Sequence, residues 1–408
     1  MTTDTRGFST VPRAAPSPSR PGRICVIRVC IVYDCLYPFT IGGAERWYRN
    51  LAERLASSGH EVTFLTRRQW ARDEDPGVPG VRVVAVSPRM ELYARGRRRA
   101  LPPVLFGLGV LGHLLRHGRR YDVVHTASFP YFSLLGAAAV RRRGRFRLLV
   151  DWHEVWTHEY WREYLGFAGG LVGWQIQRAC LRVSQRAFCF SRLHERRLRE
   201  QGVAGELTRL EGQYAGSPAP QAPAPGRPVV VFAGRHIPEK RVPAVVPALA
   251  RAREQVPELC GEIYGDGPER ERVLDAITAF RLQECVSAPG FVEQEVLEHA
   301  LATALCVVLP SRREGYGLVV IESAARGVPS VVVEGPDNAA TELVDEGVNG
   351  TIAPSAEADD LATALLRVYE AGPELRRSTL EWFRRNAERL SLDHSLQLVL
   401  REYSTADS

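Results

Sequence analysis

Residues 313–333 read REGYGLVVIESAARGVPSVVV, and this stretch decides the fold. An apolar run at 304–309 precedes it and reads as a buried parallel strand, which Pro310 and Ser311 break. The spacing then predicts a helix that starts near Gly317 and stops at Gly327, with Pro329 just beyond, and a second apolar strand at 330–333. The helix is apolar nearly all round (Leu318, Val319, Val320, Ile321, Ala324, Ala325), so it belongs in a core. Glu322 sits in its middle all the same, and a buried carboxylate is costly unless something pairs with it. Glu314 lies just before the helix, and the amides of Gly315 to Leu318 between the two acids point outward with the positive end of the helix dipole. Acid, anion hole and acid suit a ligand with hydroxyls at both ends and phosphate between, as in a nucleotide sugar. Taken alone, the pair reads as a first-turn acid that favours its helix dipole and a glutamate that snorkels or pairs with an arginine. The apolar setting of Glu322 and the glycines around Tyr316 turn the reading toward a site.

On the amino-terminal side of this unit, 229–233 reads as a buried strand with Gly234-Arg235 at its exit and Lys240 in the next loop or at a helix start. Arg235 and Lys240 either clamp a diphosphate and neutralise it as it departs, or are two solvated surface cations. Lys240 is the only lysine in the chain, where arginine supplies the rest of the positive charge. Either a compact ammonium is needed there, where a planar guanidinium does not fit, or one lysine remains by chance. A strand at 261–264 ends in the tight turn Gly265-Asp266-Gly267-Pro268, and another follows at 288–292. A last strand–helix unit ends near Ile352, and helices are expected at 356–371, 374–389 and 392–403.

Farther back, 27–33 is an apolar β-branched run, followed by a loop that ends in Gly42-Gly43 and by a helical pattern at 44–57 with Trp47, Leu51 and Leu55 on one face. Strand, glycine turn and helix in that order bring a backbone up to phosphate, or form a plain turn. Strand patterns recur at 61–66, 81–86, 122–126, 146–151 and 187–191, separated mostly by helical ones. The alternation predicts parallel, doubly wound α/β sheets with the ligand cleft at the carboxyl ends of their strands. The strand at 146–151 runs into Trp152-His153-Glu154, so His153 points into that cleft or is held by its neighbours as a structural histidine. His125 stands at a comparable strand end and is a second candidate.

At 408 residues the chain holds two full domains, and no apolar run is long and clean enough to span a bilayer. Residues 1–25, rich in Pro, Ser, Thr and Arg, read as a disordered tail rather than a secretory signal. The eight cysteines form no C-x-x-C pair and read as free thiols in a reducing cytoplasm, with no zinc site. The Pro-rich segment 216–228 reads as a linker between a domain at 26–215 and one at 229–375, with helices at 376–408 packing back on the first. Basic, apolar and basic residues in turn at 93–120 fit an anionic membrane surface, or a surface helix with a solvated rim. Aromatics at 156–174 stack on sugar rings or staple their loop. The mild basicity, +6, carries no nucleic-acid motif.

In this order, Glu314 and Glu322 as an E-x7-E pair within E-G-Y-G-L and I-E-S-A-A-R-G-V-P, G-R with Lys240, G-D-G-P at Gly265, Gly42-Gly43 with Glu45, and His153-Glu154 resemble glycosyltransferase family 4. The resemblance spans residues 26–354 and implies the GT-B fold, two Rossmann-like domains facing across a cleft. It implies that Glu314 binds donor-sugar hydroxyls and Glu322 ribose hydroxyls. Arg235 and Lys240 hold the leaving diphosphate, with Gly317, Leu318, Gly42 and Gly43 backbone assisting, and His153 lies against the donor sugar. It further implies retention of anomeric configuration, no metal or other cofactor, a UDP- or GDP-sugar donor, and a glycan, lipid-linked or small-molecule acceptor. The protein would be cytoplasmic, or peripheral on the inner face of the plasma membrane. Tyr316 stands where the family usually has Phe, and Gly335-Pro336-Asp337-Asn338 where a double glycine is common. A nucleotide-sugar epimerase and a silent nucleotide-sugar-binding subunit are the alternatives on the same fold.

Overall fold

The computed structural model describes residues 26–71, 73–91, 93–94, 97–216 and 228–404. The expected tail at 1–25 and nearly all of the expected linker lie outside the described residues.

In the N-terminal half, seven parallel strands form one sheet. They are β1 (Arg28–Val32), β2 (Glu61–Arg67), β3 (Val81–Ser87), β4 (Val123–Ala127), β5 (Arg147–Trp152), β6 (Gln185–Cys189) and β7 (Gly205–Arg209), in the spatial order β3-β2-β1-β4-β5-β6-β7. Sequence reading missed β7, because its GELTR is a polar edge strand with no apolar run. Central strands are apolar on both faces, as parallel sheets covered on both sides require. Val29 and Ile31 face α1 (Gly43–Ser57), whereas Cys30 and Val32 face the layer made by α2 (Leu101–His117), α3 (Tyr131–Gly144) and α4 (His158–Leu181). Helix α5 (Arg192–Glu200) follows β6.

The C-terminal half repeats the plan. Strands β8 (Val229–Ala233), β9 (Cys260–Tyr264), β10 (Val286–Gly290), β11 (Cys306–Leu309), β12 (Ser330–Val333) and β13 (Gly350–Ala353) lie in the order β10-β9-β8-β11-β12-β13, all parallel. Helices α6 (Val245–Arg253), α7 (Arg270–Ala279), α8 (Gln294–Thr303) and α9 (Leu318–Ala324) connect them. Strand order reverses between β1 and β4 in one sheet and between β8 and β11 in the other, so each half has one topological switch point at its carboxyl edge. This is the GT-B architecture.

The two helices expected at 356–371 and 374–389 both form within Ala358–Leu390 (α10), where the backbone leaves helical geometry at Gly372 (φ +56°, ψ −142°) just ahead of Pro373 and kinks one helix against the other. The bend does not carry the chain back at once. Arg376 Nη1 donates to the Ala304 carbonyl at 2.6 Å and Trp382 Nε1 to Asp345 at 2.6 Å, both in the C-terminal half. The crossing comes at Leu390–Leu392, whose backbone brackets Tyr214 with bonds of 3.1 and 2.8 Å. Helix α11 (Leu392–Ser404) then lies on the N-terminal domain, where Arg186 meets Glu402 at 2.6 Å. Among the described residues every cysteine is a free thiol, and no helix is long and apolar enough to cross a membrane.

Candidate active site

The C-terminal switch point brings two loop exits together. After β8 the chain makes a tight turn at Pro238–Lys240; after β11 it enters a two-residue strand, Arg313–Glu314, that pairs with Asp337–Asn338. The Arg312 amide donates to the Glu239 carbonyl at 2.8 Å and stitches the exits to each other. Lys240 Nζ therefore meets Glu314 Oε2 in an ion pair, with the side chains only 19% and 14% exposed. Ser311 Oγ donates to the same oxygen at 3.3 Å. Asn338 supports this strand: its Nδ2 donates to the carbonyls of Ser311 at 3.1 Å and Val333 at 2.7 Å. Thus the Gly335-Pro336-Asp337-Asn338 departure from the family pattern holds Glu314 in place through a side-chain amide.

His153 comes from the other side, one residue past β5. Its ring lies flat on Phe190 (centroids 4.6 Å apart, 2° between planes) and meets Tyr48 edge-on at 5.8 Å. Burial holds its pKa below the ordinary value against the pull of Asp151 and Glu154, so the imidazole is neutral near pH 7. Nε2 is buried and has no hydrogen-bond partner. A Cβ placed on Gly315 would lie 2.8 Å from the His153 carbonyl oxygen, so a glycine is what lets the two lobes close this tightly. Gly315→Ala is expected to hold the cleft open and lower kcat/KM for the donor about 10²-fold, the scale of a 1 Å misplacement, with little change in denaturation midpoint. Steady-state kinetics beside a urea titration check it.

Beside His153, Glu154 pairs with Arg313 at 2.9 Å across the cleft and accepts from Trp156 Nε1 at 2.9 Å. The buried Arg313 guanidinium lies over the Tyr160 ring at 3.7 Å and the Trp156 ring at 4.7 Å. Burial alone would raise the Glu154 pKa, but Arg313 first, then His194, Trp156 and Lys240, bring it down to about 2. A depressed carboxylate stabilises the fold above its unfolded value of 4.5, and that contribution is lost as pH falls toward 2. The gap in urea midpoint between wild type and Glu154→Gln should be constant above pH 5.5 or so and shrink steadily below about pH 4. A gap independent of pH would contradict the pairing.

Other expected residues fall as follows. Arg46, in the first turn of α1 just beyond Gly42 and Gly43, meets Glu322 at 3.2 Å, which sets this glycine turn against α9 across the cleft. Burial raises the Glu322 pKa, against Arg46 and Arg326. The arginine partner weighed from the sequence is therefore real, and it comes from the opposite domain. Gly317 precedes α9 with φ +98°, and Leu318 opens the helix. Gly265 has φ +113°, and a Cβ there would strike the Gly234 carbonyl, so it fits the exit of β8 closely. Arg235 is exposed at that exit, unlike Lys240. His125 does not reach the cleft: it is wholly buried, with Nε2 donating to Asp151 at 2.8 Å and Nδ1 facing the Tyr403 hydroxyl at 2.7 Å. The aromatics near 156 staple one another through Gln177, which accepts from Trp161 Nε1 at 3.1 Å and donates to the Trp156 carbonyl at 2.9 Å. Sequence reading missed Arg46, Arg313 and Glu342, whose carboxylate accepts the Arg192 and Leu193 amides of α5 at 2.7 Å each. In so arginine-rich a chain nothing marked those two arginines.

Two family models match the chain: a glycosyl transferase 4-like domain over residues 42–211, and glycosyl transferases group 1 over 217–387. Together they take in both lobes and the residues of the candidate site from Gly42 to Glu322. The chain belongs to glycosyltransferase family 4. Among curated relatives, this family 4 chain is similar to alpha-D-kanosaminyltransferase of Streptomyces kanamyceticus, 31% identical over 38% of this chain and 39% of that protein. It is also similar to an exopolysaccharide phosphotransferase of Streptomyces coelicolor, 32% identical over 34% of this chain and 14% of that protein. The chain therefore spans well under half the length of these two relatives. Similarity to glycogen synthase of Mycobacterium tuberculosis runs nearly end to end, 25% identical over 89% of this chain and 90% of that protein. Among solved structures, sucrose-phosphate synthase from Thermosynechococcus elongatus superposes with a TM-score of 0.76 at 20% identity, over 92% of this chain and 98% of its own. Anabaena HepE in complex with UDP and glucose gives 0.72 at 17% identity, over 93% and 100%. Those two likenesses bear on the fold of this family 4 chain alone.

Proposed function

We propose that the chain moves a hexosyl unit from a UDP- or GDP-sugar to a hydroxyl on a glycan, a lipid-linked sugar or a small natural product, retaining anomeric configuration and requiring no metal. The observation that carries this reading is the shielded Lys240–Glu314 pair at the C-terminal switch point, directly across from His153. Lys240, with Arg235 at the same exit, offsets the charge that builds on the departing diphosphate. Glu314, fixed by Lys240 and Ser311, accepts from donor-sugar hydroxyls. Glu322, at the far end of α9, takes the ribose hydroxyls. Neutral His153 presents Nε2 to the sugar face without adding charge. The acceptor attacks from the side the diphosphate leaves, and a phosphate oxygen takes its proton.

Of residues 93–120, α2 turns Leu101, Leu108 and Leu115 to solvent, with Arg116 and Arg119 beyond. This supports a resting place on an anionic membrane face in the cytoplasm.

The test is a mass-spectrometric screen of UDP- and GDP-sugars with and without candidate acceptors, followed by NMR of the anomeric linkage. Acceptor-dependent consumption with a retained linkage is expected. Turnover without acceptor would instead identify an epimerase, and binding without any turnover a silent subunit.

A further inference from the structure

The end of the N-terminal sheet opposite the cleft carries a hollow of about 120 Å³ that the sugar-transfer reading does not use. It lies where the strands begin: Arg28 opens β1, Glu61 opens β2 and Arg82 is the second residue of β3. His113 and His117, from the last turns of α2, and Arg120 complete the wall. A five-residue strand separates it from the carboxyl edge, about 17 Å. The hollow is far smaller than the ~300 Å³ of sites that enclose a whole metabolite, so it suits a small group rather than a sugar nucleotide.

Its charges are one-sided. Arg28 is answered by Asp122, at 2.6 Å to Nη2 and 3.1 Å to Nε. Arg82 and Arg120 have no carboxylate within ion-pair distance among the described residues, and Glu61 is the one acid on the rim. From residue 92 to 121 the sequence contains no acid. The two imidazoles stand with centroids 4.9 Å apart; His113 Nε2 is engaged by the Tyr121 hydroxyl at 2.9 Å, whereas His117 Nδ1 is buried with no partner. Burial chiefly, and His117, Arg82 and Arg120 after it, push the His113 pKa down to about 4. A second hollow of about 360 Å³ shares Arg28 and Tyr121 and adds Arg119, Arg145 and Asp122, the acid already paired with Arg28. Like charges crowded around a cavity raise its potential, and an anion relieves them.

We infer that this hollow is a binding site for a phosphoryl or phosphodiester group, held by Arg82 and Arg120 with the orphaned His117 nitrogen. Guanidinium pairs match phosphate oxygens in geometry as well as charge. The group comes either from a soluble phosphate or from the headgroup of an anionic lipid, whose larger size the adjoining hollow accommodates. The inference does not depend on sugar transfer.

The experiment uses the full chain with ¹⁵N-histidine label, the His113 and His117 resonances being assigned by substitution. Inorganic phosphate is titrated in, and co-sedimentation is measured separately with phosphatidylcholine vesicles that contain or lack phosphatidic acid. Saturable shifts of His113 and His117, weakened at least ~10-fold in Arg82→Gln with Arg120→Gln, are expected for a soluble source. A similar loss in sedimentation with the phosphatidic acid vesicles is the signature of a headgroup. Both substitutions lie on exposed side chains, and the double variant should keep the wild-type urea midpoint, the wild-type His153 resonance and wild-type donor turnover. No shift at tens of millimolar phosphate together with equal sedimentation of wild type and variant overturns the inference. Shifts that persist unchanged in the double variant overturn it as well.

Discussion

Lys240→Ala is expected to lower the rate of sugar transfer about 10²–10³-fold, the usual cost of removing one preorganised group that meets charge developing in a transition state. The fall should appear in kcat as well as in kcat/KM, because the diphosphate gains charge as the glycosidic bond breaks and the ammonium acts most strongly there. Folding should change little. The turn at Pro238–Lys240 is pinned by the backbone bond from Arg312 to Glu239, which the substitution leaves intact. Lys240→Arg is expected to rescue poorly. A planar guanidinium is a different shape from an ammonium that must sit against Glu314 at a site 19% exposed. Single-turnover measurements with a saturating donor separate the chemical step from binding. Wild-type rates in the alanine variant would remove Lys240 from the machinery.

The largest effect on stability should come from Asp151→Ala, about 3–5 kcal/mol, the range for breaking a buried ionic or hydrogen-bonded pair by deleting one partner. Asp151 is wholly buried and accepts from His125 Nε2 at 2.8 Å and from Trp47 Nε1 at 2.7 Å. His125 passes the connection on to Tyr403 of α11 at 2.7 Å. Burial works to raise the Asp151 pKa, yet His125, His153 and Tyr48 together hold it below the ordinary carboxylate value. Its contribution is accordingly present above the unfolded value of 3.8 and lost as pH falls through the folded one. Alanine would leave a donor on β4 and another on α1 unpaired in the core, and would loosen the helix that returns from the C-terminal lobe. Urea unfolding at pH 7, with limited proteolysis of α11, reads both effects. A midpoint within error of wild type would mean that the network contributes nothing net.

The parts of this molecule legible in its sequence are those governed by short-range pattern. Strand β12 falls at residues 330–333 as its apolar run indicated, and Gly317 stands at the amino end of α9 as the glycine spacing indicated. The Glu322 anomaly was visible as a carboxylate in an apolar helix, which is a local conflict. Its resolution was not visible, because Arg46 comes from the other domain. The same limit explains Arg313. It is adjacent to Glu314 in sequence, but its role depends on Glu154, Trp156 and Tyr160 meeting it across the cleft. His125 misled for a related reason. A histidine near the end of a strand looks the same in sequence whether it opens on a cleft or lies under a returning helix, and Tyr403 decides which. Strand β7 was invisible because an edge strand need not be apolar.

The central claim is that a diphosphate is held where the exits of β8 and β11 meet. Calorimetric titration of UDP and GDP into wild type and Lys240→Ala tests it most directly. At least ~10-fold weaker binding of the preferred nucleotide in the variant, with the loss growing smaller as salt is raised, is the predicted result. Equal affinity for both nucleotides in the two proteins, at low and high salt alike, would contradict it.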